Sequence, residues 1–117
     1  MAVIKIKRAY ETEAQSDGFR ILVDRLWPRG IKKEALHIDT WLKEIAPSTA
    51  LRKWFDHDPE KWESFKEKYI IELKHSPATK NITGLIKMHK IVTLVYSAKD
   101  EQHNNAIAIK EFLEKNY

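Results

Sequence analysis

The chain contains no cysteine, which excludes disulfides, a thiolate nucleophile, cysteine zinc sites and cysteine-held iron–sulfur clusters. Glycine is scarce, with only Gly18, Gly30 and Gly84, so neither a phosphate-binding P-loop nor a dinucleotide fingerprint can be built. No apolar run approaches the roughly 20 residues a membrane helix needs, and the N-terminus lacks the charged-then-apolar layout of a signal peptide. No membrane partner is therefore expected, and the cytoplasm is the default location. The histidines, His37, His57, His75, His89 and His103, are scattered without the spacing of a helical zinc motif. No nucleophile elbow surrounds Ser16, Ser48, Ser64, Ser76 or Ser97. Neither a metal nor a cofactor is expected.

What is present fits a single soluble α/β domain over residues 1–117. The chain is 43% hydrophobic and 32% charged, a globular rather than a disordered balance. A net charge of +4 arises from 21 basic and 17 acidic residues, well mixed along the chain. Such a surplus permits an anionic partner without demanding one.

Residues 3–7 alternate apolar and basic side chains, with Ile4 and Ile6 against Lys5 and Lys7, the period of a half-exposed strand near a sheet edge. Residues 19–26, "FRILVDRL", and 91–96, "IVTLVY", are nearly continuous in aliphatic and aromatic residues, as suits parallel strands covered on both faces. Residues 11–18 read as a loop. Between the two apolar strands the pattern is helical. A short helix is expected from Asp39 or Thr40, carrying Trp41, Leu42 and Ile45 and ended by Pro47. Ser48 can cap a second, with Leu51, Trp54 and Phe55 on one face. Asp58-Pro59-Glu60 opens a third with Trp62, Phe65, Tyr69 and Leu73 buried, closed by Pro77. Further helices are expected from about Thr79, burying Ile82, Leu85 and Ile86, and from about Glu101, burying Ala106, Ile109 and Leu113. The fold class is α/β: a small, mainly parallel sheet of three or four strands flanked by helices, with a helical segment inserted between the second and last strands.

In parallel sheets the ligand crevice lies beyond the carboxyl ends of the strands. One such end carries Asp24, Arg25, Trp27, Pro28, Arg29 and Gly30, and the other carries residues 97–105, "SAKDEQHNN". If the strands are parallel neighbours, both clusters meet on one rim. Arg25, Arg29 and Lys99 then supply positive charge, joined by Arg52 from the helical segment, with Ser97, Asn104 and Asn105 as polar contacts and the last helix aimed at the same place. Asp24, Asp100, His103 and His57 are the ionisable candidates for proton transfer. Each residue also has a plain structural reading. Asp24 and Arg25 can pair with neighbours, Trp27 can anchor the core, residues 28–30 can form a turn, and Asp100 can cap the last helix. His89 shares a helical stripe with Ile82, Leu85 and Ile86 and reads as a packed or interface histidine.

The segments "GFRILVDRLWPRGIKKEAL", "WLKEIAPSTALRKWFDHDPEKWESFKEKYIIEL" and "VTLVYSAKDEQHNNAIAIKEFL" resemble the YeaO-like family of uncharacterised bacterial proteins, built on domain of unknown function 488. The likeness covers nearly the whole chain. It implies a small stand-alone cytoplasmic α/β protein and carries no established activity to transfer. The motif positions it picks out are Asp24, Arg25, Trp27, Pro28, Arg29 and Gly30; Pro47, Ser48, Leu51, Arg52, Trp54, Phe55 and His57; and Tyr96, Ser97, Ala98, Asp100, His103, Asn104 and Asn105.

The leading expectation is a small enzyme acting on an anionic, phosphate-bearing or nucleotide-like metabolite at the rim. The alternative is a nucleic-acid-binding or regulatory module without catalysis, for which "KIKR", "RGIKK" and "LRKWF" are the basic runs. A third reading is a partner-binding subunit anchored by Trp41 or Trp54. The sequence leaves the oligomeric state open.

Overall fold

A computed structural model describes residues 2–117. Its sheet is formed by β1 (Val3–Arg8), β2 (Phe19–Leu22), β3 (Thr40–Trp41) and β4 (Ile91–Tyr96), in the spatial order β1-β4-β2-β3. Every pairing is parallel. The long apolar strand β4 lies inside the sheet, with Leu94 opposite Ile6 on one side and Ile21 on the other. The half-polar β1 lies at an edge, as its alternation predicts.

The helices are α1 (Thr49–Phe55), α2 (Trp62–His75), α3 (Pro77–Met88) and α4 (Asn105–Asn116). All four contribute to one core with Ile4, Ile21, Val23, Val92, Leu94 and Tyr96 of the sheet region. Period-two alternation sends Leu22 and Val95 to the opposite face, where they meet Ala9 and Leu36 together with Trp27, Ile31, Ile38 and Trp41. Both faces of β2 and β4 are therefore buried, one under helices and the other under loop segments. Among the described residues, no helix is long and apolar enough to cross a membrane.

The helix starts follow side-chain chemistry. The Ser48 and Ser76 hydroxyls accept from the Leu51 and Ala78 N–H groups at the openings of α1 and α3. Asp58 accepts from the Glu60 N–H and opens a 3-10 turn, Pro59–Lys61, that runs into α2. Four boundaries differ from the sequence reading. Strand β2 ends at Leu22 rather than running through residues 19–26. The segment expected as a helix from Asp39 or Thr40 is instead strand β3 followed by a 3-10 turn, Lys43–Ile45. The Asp39 carboxylate accepts from the Arg20 N–H, and the Asp39 N–H donates to the Arg20 carbonyl, which holds this segment alongside β2. Helix α3, expected from about Thr79, starts at Pro77, since proline fits the first turn where its missing N–H costs nothing. The last helix starts at Asn105, not Glu101. Asn104 is its cap, accepting from the Ile107 N–H, whereas Asp100 closes a preceding turn by accepting from Gln102 and His103 N–H groups.

The loop-covered face contains a charged cluster with no signature in the hydrophobic pattern. Arg20 points inward from β2 and is 2% exposed. Its Nη1 contacts Asp17 at 2.5 Å and its Nε donates to the His37 carbonyl at 2.7 Å. Lys7 of β1 reaches the other Asp17 oxygen at 2.8 Å. The Asp17 carbonyl accepts from the Thr93 hydroxyl of β4. One acidic residue thus ties three strands to the covering loop. Gly18 follows it at φ 66°, in the left-handed region, and a Cβ there would collide with the Ile91 carbonyl.

Burial pushes the Asp17 carboxyl up, but the hydrogen bonds from Lys7, Ala14 and Arg20 outweigh it, and the net shift is below the ordinary value. A carboxyl held low when folded adds stability above its unfolded pKa and loses it as pH falls through the folded value. Asp17→Asn should therefore destabilise the chain by about 3 kcal/mol at neutral pH, the scale for breaking a buried pair. Urea unfolding from pH 7 to pH 2 should show the gap from wild type closing below about pH 4.

Candidate functional site

Because β2 and β4 are parallel with Leu22 opposite Val95, the chain leaves both strands at the same end of the sheet. Asp24, two residues beyond β2, is held there by both of its carboxylate oxygens. One accepts from the Ser97 N–H at 2.9 Å and the Ser97 hydroxyl at 2.8 Å. The other accepts from the Asn105 amide at 3.1 Å, which also donates to the Val23 carbonyl at 3.0 Å. The exit of β2, the exit of β4 and the first turn of α4 are joined at this carboxylate.

The turn after Asp24 is built on its aromatic and proline residues. Pro28 is buried, and the Trp27 indole donates to the Ile31 carbonyl at 2.6 Å. Trp27 also packs edge-on against Trp41, whose indole donates to the Asp24 carbonyl. Gly30 supplies the φ of 79° that brings the chain back. Arg29 stays exposed, and its carbonyl accepts from the Tyr10 hydroxyl.

The helical segment forms another wall. Glu72 of α2 accepts from both the N–H and the hydroxyl of Ser48, and the buried Tyr69 hydroxyl donates to the Ile45 carbonyl. Burial first, then the nearby charges of Glu72 and Asp24, push the Tyr69 hydroxyl well above its ordinary pKa, so it stays a donor. With residues 45–48 held this way, α1 presents Arg52, Lys53 and Phe55 to the rim. It ends at Asp56 and His57, both left-handed at φ 47° and 55°, conformations that non-glycine residues adopt at a cost.

Between these walls lies a cleft of about 620 Å³, within the size range of small-molecule sites. Asp24, Arg25, Arg29, Arg52, His57, Ser97, Lys99, His103, Asn104 and Asn105 all line it. Asp100 does not; it stands behind His103, with its carboxylate 2.9 Å from Nδ1. Hydrogen bonds from the Gln102 N–H and the His103 ring hold the Asp100 carboxyl below its usual range. The pair orients the His103 ring, whose edge also meets Trp62. Several predicted contact groups are already engaged within the protein. Asn104 spends its carbonyl on the α4 cap and its amide on the Asp100 carbonyl, while Asn105 and Ser97 both serve Asp24.

Arg8 and Tyr10 also line the cleft and were not singled out from the sequence. Arg8 lies over the Tyr10 ring and donates to the Ala98 carbonyl at 2.9 Å. Arg8 is the last residue of β1 and Tyr10 lies just beyond it, so the strand-end rule applied to "KIKRAY" would have found them. His89 is a packing residue, stacked on Phe19 with ring centroids 4.0 Å apart. Trp54 is flanked by the Lys61 and Lys68 ammonium groups rather than presented as a bare apolar anchor. The lining includes the cations Arg8, Arg25, Arg29, Arg52, Lys53 and Lys99 against the carboxylates Asp24 and Asp56. Among the described residues, no salt bridge involves any of these cations. No group of three or more His, Asp or Glu side chains among the described residues is arranged to hold a metal ion.

A parallel α/β sheet with a cation-lined cleft at its carboxyl end sets the class of this protein. The chain belongs to the DUF488 family: residues 3–117 match the family described as "Inactive DUF488-N3 subclade". It is 47% identical over 111 residues to the uncharacterized protein YeaO of Escherichia coli, covering 94% of this chain and 96% of that one. It is 34% identical over 110 residues to the uncharacterized proteins Rv3073c of Mycobacterium tuberculosis and Mb3100c of Mycobacterium bovis, covering 94% of this chain and 92% of each relative. No solved structure matches it significantly.

Removing the Asp24 carboxylate strands the Ser97 and Asn105 donors. Asp24→Ala should lower the unfolding free energy by about 2 kcal/mol, the scale for losing one partner of a buried hydrogen-bonded set. A double-mutant cycle with Asn105→Ala, read by urea denaturation, should give a coupling of about 1 kcal/mol.

Proposed function

We propose that the chain binds a phosphate-bearing small molecule in the cleft and holds it without turning it over. The observation that carries this is the gathering of Arg8, Arg25, Arg29, Arg52, Lys53 and Lys99 around one concavity with no salt bridge to any of them among the described residues. Cations close together repel one another, so an anion entering the cleft relieves that repulsion and gains several charge-assisted hydrogen bonds. The apolar part of the lining, Leu26, Trp27, Phe55 and Phe65, gives a ligand's uncharged portion a surface to pack on.

Absence of turnover is supported by how the reactive groups are spent. The Ser97 hydroxyl gives its one proton to Asp24, and Asp24 receives donors on both oxygens. The hydroxyl and the carboxylate are thus committed to each other and to Asn105 within the protein. The description of the matching subclade as inactive accords with this reading.

One observation favours a second reading, an enzyme acting on the same phosphate-bearing ligand. His103 lines the cleft with Nδ1 held by Asp100, the arrangement that fixes the tautomer of a proton-transferring imidazole. In that reading His103 moves the proton, Asp100 orients it, and Asp24 and His57 stand at the same cleft. A nucleic-acid partner would use the same cations but track a longer groove, and it would weaken steeply with salt.

A thermal-shift series with nucleotides, sugar phosphates and short oligonucleotides separates these readings. A phosphate compound at 100 times its dissociation constant should add about 2.7 kcal/mol, on the order of 10 °C for a chain of this size. The phosphorus NMR spectrum of that compound should stay unchanged on incubation. A new phosphorus signal that His103→Ala abolishes would establish the enzyme instead. Stabilisation by oligonucleotides alone, or by none of the compounds, would overturn small-molecule binding.

A further inference from the structure

We infer that Arg25 is the anchor of the cleft, gripping the ligand's phosphate through two guanidinium N–H groups at once. The inference rests on the anion-binding reading above and assigns one residue the role that the other cations share only as bulk charge.

Arg25 differs from its neighbours in how poorly it is satisfied. Its Nη2 points at the Ala46 and Pro47 carbonyls at 3.3 and 3.5 Å, the long limit of a hydrogen bond. Its Nε is buried and has no partner, the one such side-chain atom among the described residues. Arg20 provides the internal comparison, with Nε and Nη1 bonded at 2.7 and 2.5 Å and a carboxylate beside it. Among the described residues Arg25 has no salt bridge, while Asp24 is engaged by Ser97 and Asn105 and Glu72 by Ser48. A guanidinium charge is thus half-buried at a cleft wall with neither an ion pair nor a full set of acceptors.

Buried polar groups are nearly always paired, and an unpaired one leaves a desolvation cost uncompensated. A phosphate offers what is missing. The guanidinium edge carries parallel N–H groups that match two oxygens of one phosphate, a geometry a lysine ammonium cannot reproduce. Because Nε has no solvent contact in this arrangement, the guanidinium must first swing away from the two carbonyls. Bonds of 3.3 and 3.5 Å oppose that movement weakly. The exposed Arg29, Arg52 and Lys99 then add charge around the phosphate.

Isothermal titration with phenyl phosphate, and with benzoate as the carboxylate of similar shape, tests the assignment on wild type, Arg25→Lys and Arg52→Ala. Arg25→Lys keeps the charge and loses the fork. It should weaken phenyl phosphate binding at least tenfold, whereas Arg52→Ala should weaken it less than about threefold. Wild type should bind phenyl phosphate more tightly than benzoate, and the reverse order would overturn the assignment to phosphate. If Arg25→Lys binds like wild type while Arg52→Ala loses binding, Arg25 is not the anchor and the cleft reading survives. If wild type binds neither compound, both readings fall. Should Arg25→Lys fold poorly, the Arg25 Nε–H resonance of the wild type serves instead. It should shift on saturation with phenyl phosphate, and an unmoved resonance would contradict the inference.

Discussion

The Asp24 carboxylate is the constraint on which the rim depends. It is the point where the exits of β2 and β4 and the start of α4 meet, with three donors converging on it from Ser97 and Asn105. Without it, parallel pairing would still bring the strand ends together but would leave the loops beyond them free to diverge. With it, the loop of residues 24–30 and the loop of residues 97–104 become two walls at a set separation. Glu72 and Tyr69 perform the same service for the wall carrying Arg52, by fixing residues 45–48. The site is thus precise because Asp24 and Glu72 are engaged by backbone, hydroxyl and amide donors, and among the described residues neither forms a salt bridge with the cations of the cleft.

The same division of labour explains why the two faces of the sheet differ. One face is closed by helices whose apolar stripes need no specific partner. The other is closed by loops, which cannot bury their backbone groups cheaply and require named polar contacts. Asp17, Arg20 and Asp39 supply those contacts, and β3 exists because Asp39 and Arg20 exchange hydrogen bonds that hold two residues in register.

This difference marks what was legible in the sequence. The strands β1, β2 and β4 and helices α1 to α4 were legible because each is written in an apolar period or a capping residue, as with Ser48 and Asp58. Strand β3 was not, since two residues carry no period and Trp41-Leu42 followed by Ile45 imitates a helical stripe. The inward charge of Arg20 was equally hidden, because "FRIL" reads as an apolar strand whichever way its arginine points. Asp100 looked like the cap of α4, but Asn104 lies closer to the periodic run and takes that role. The rim was legible because charge stood at the ends of two apolar strands. Arg8 and Tyr10 escaped because β1 is itself half charged, so nothing changes where it ends.

What unites these observations is a cleft in which Asp24 is engaged by Ser97 and Asn105 and, among the described residues, none of the lining cations has a salt bridge. The most direct test is a titration of the nitrogen-labelled protein with phenyl phosphate, following backbone amide resonances by NMR. The account predicts saturable shifts confined to residues 8–10, 24–30, 46–57 and 97–105. Shifts that track only ionic strength, or that map to the far end of the sheet near Phe19 and His89, would contradict it.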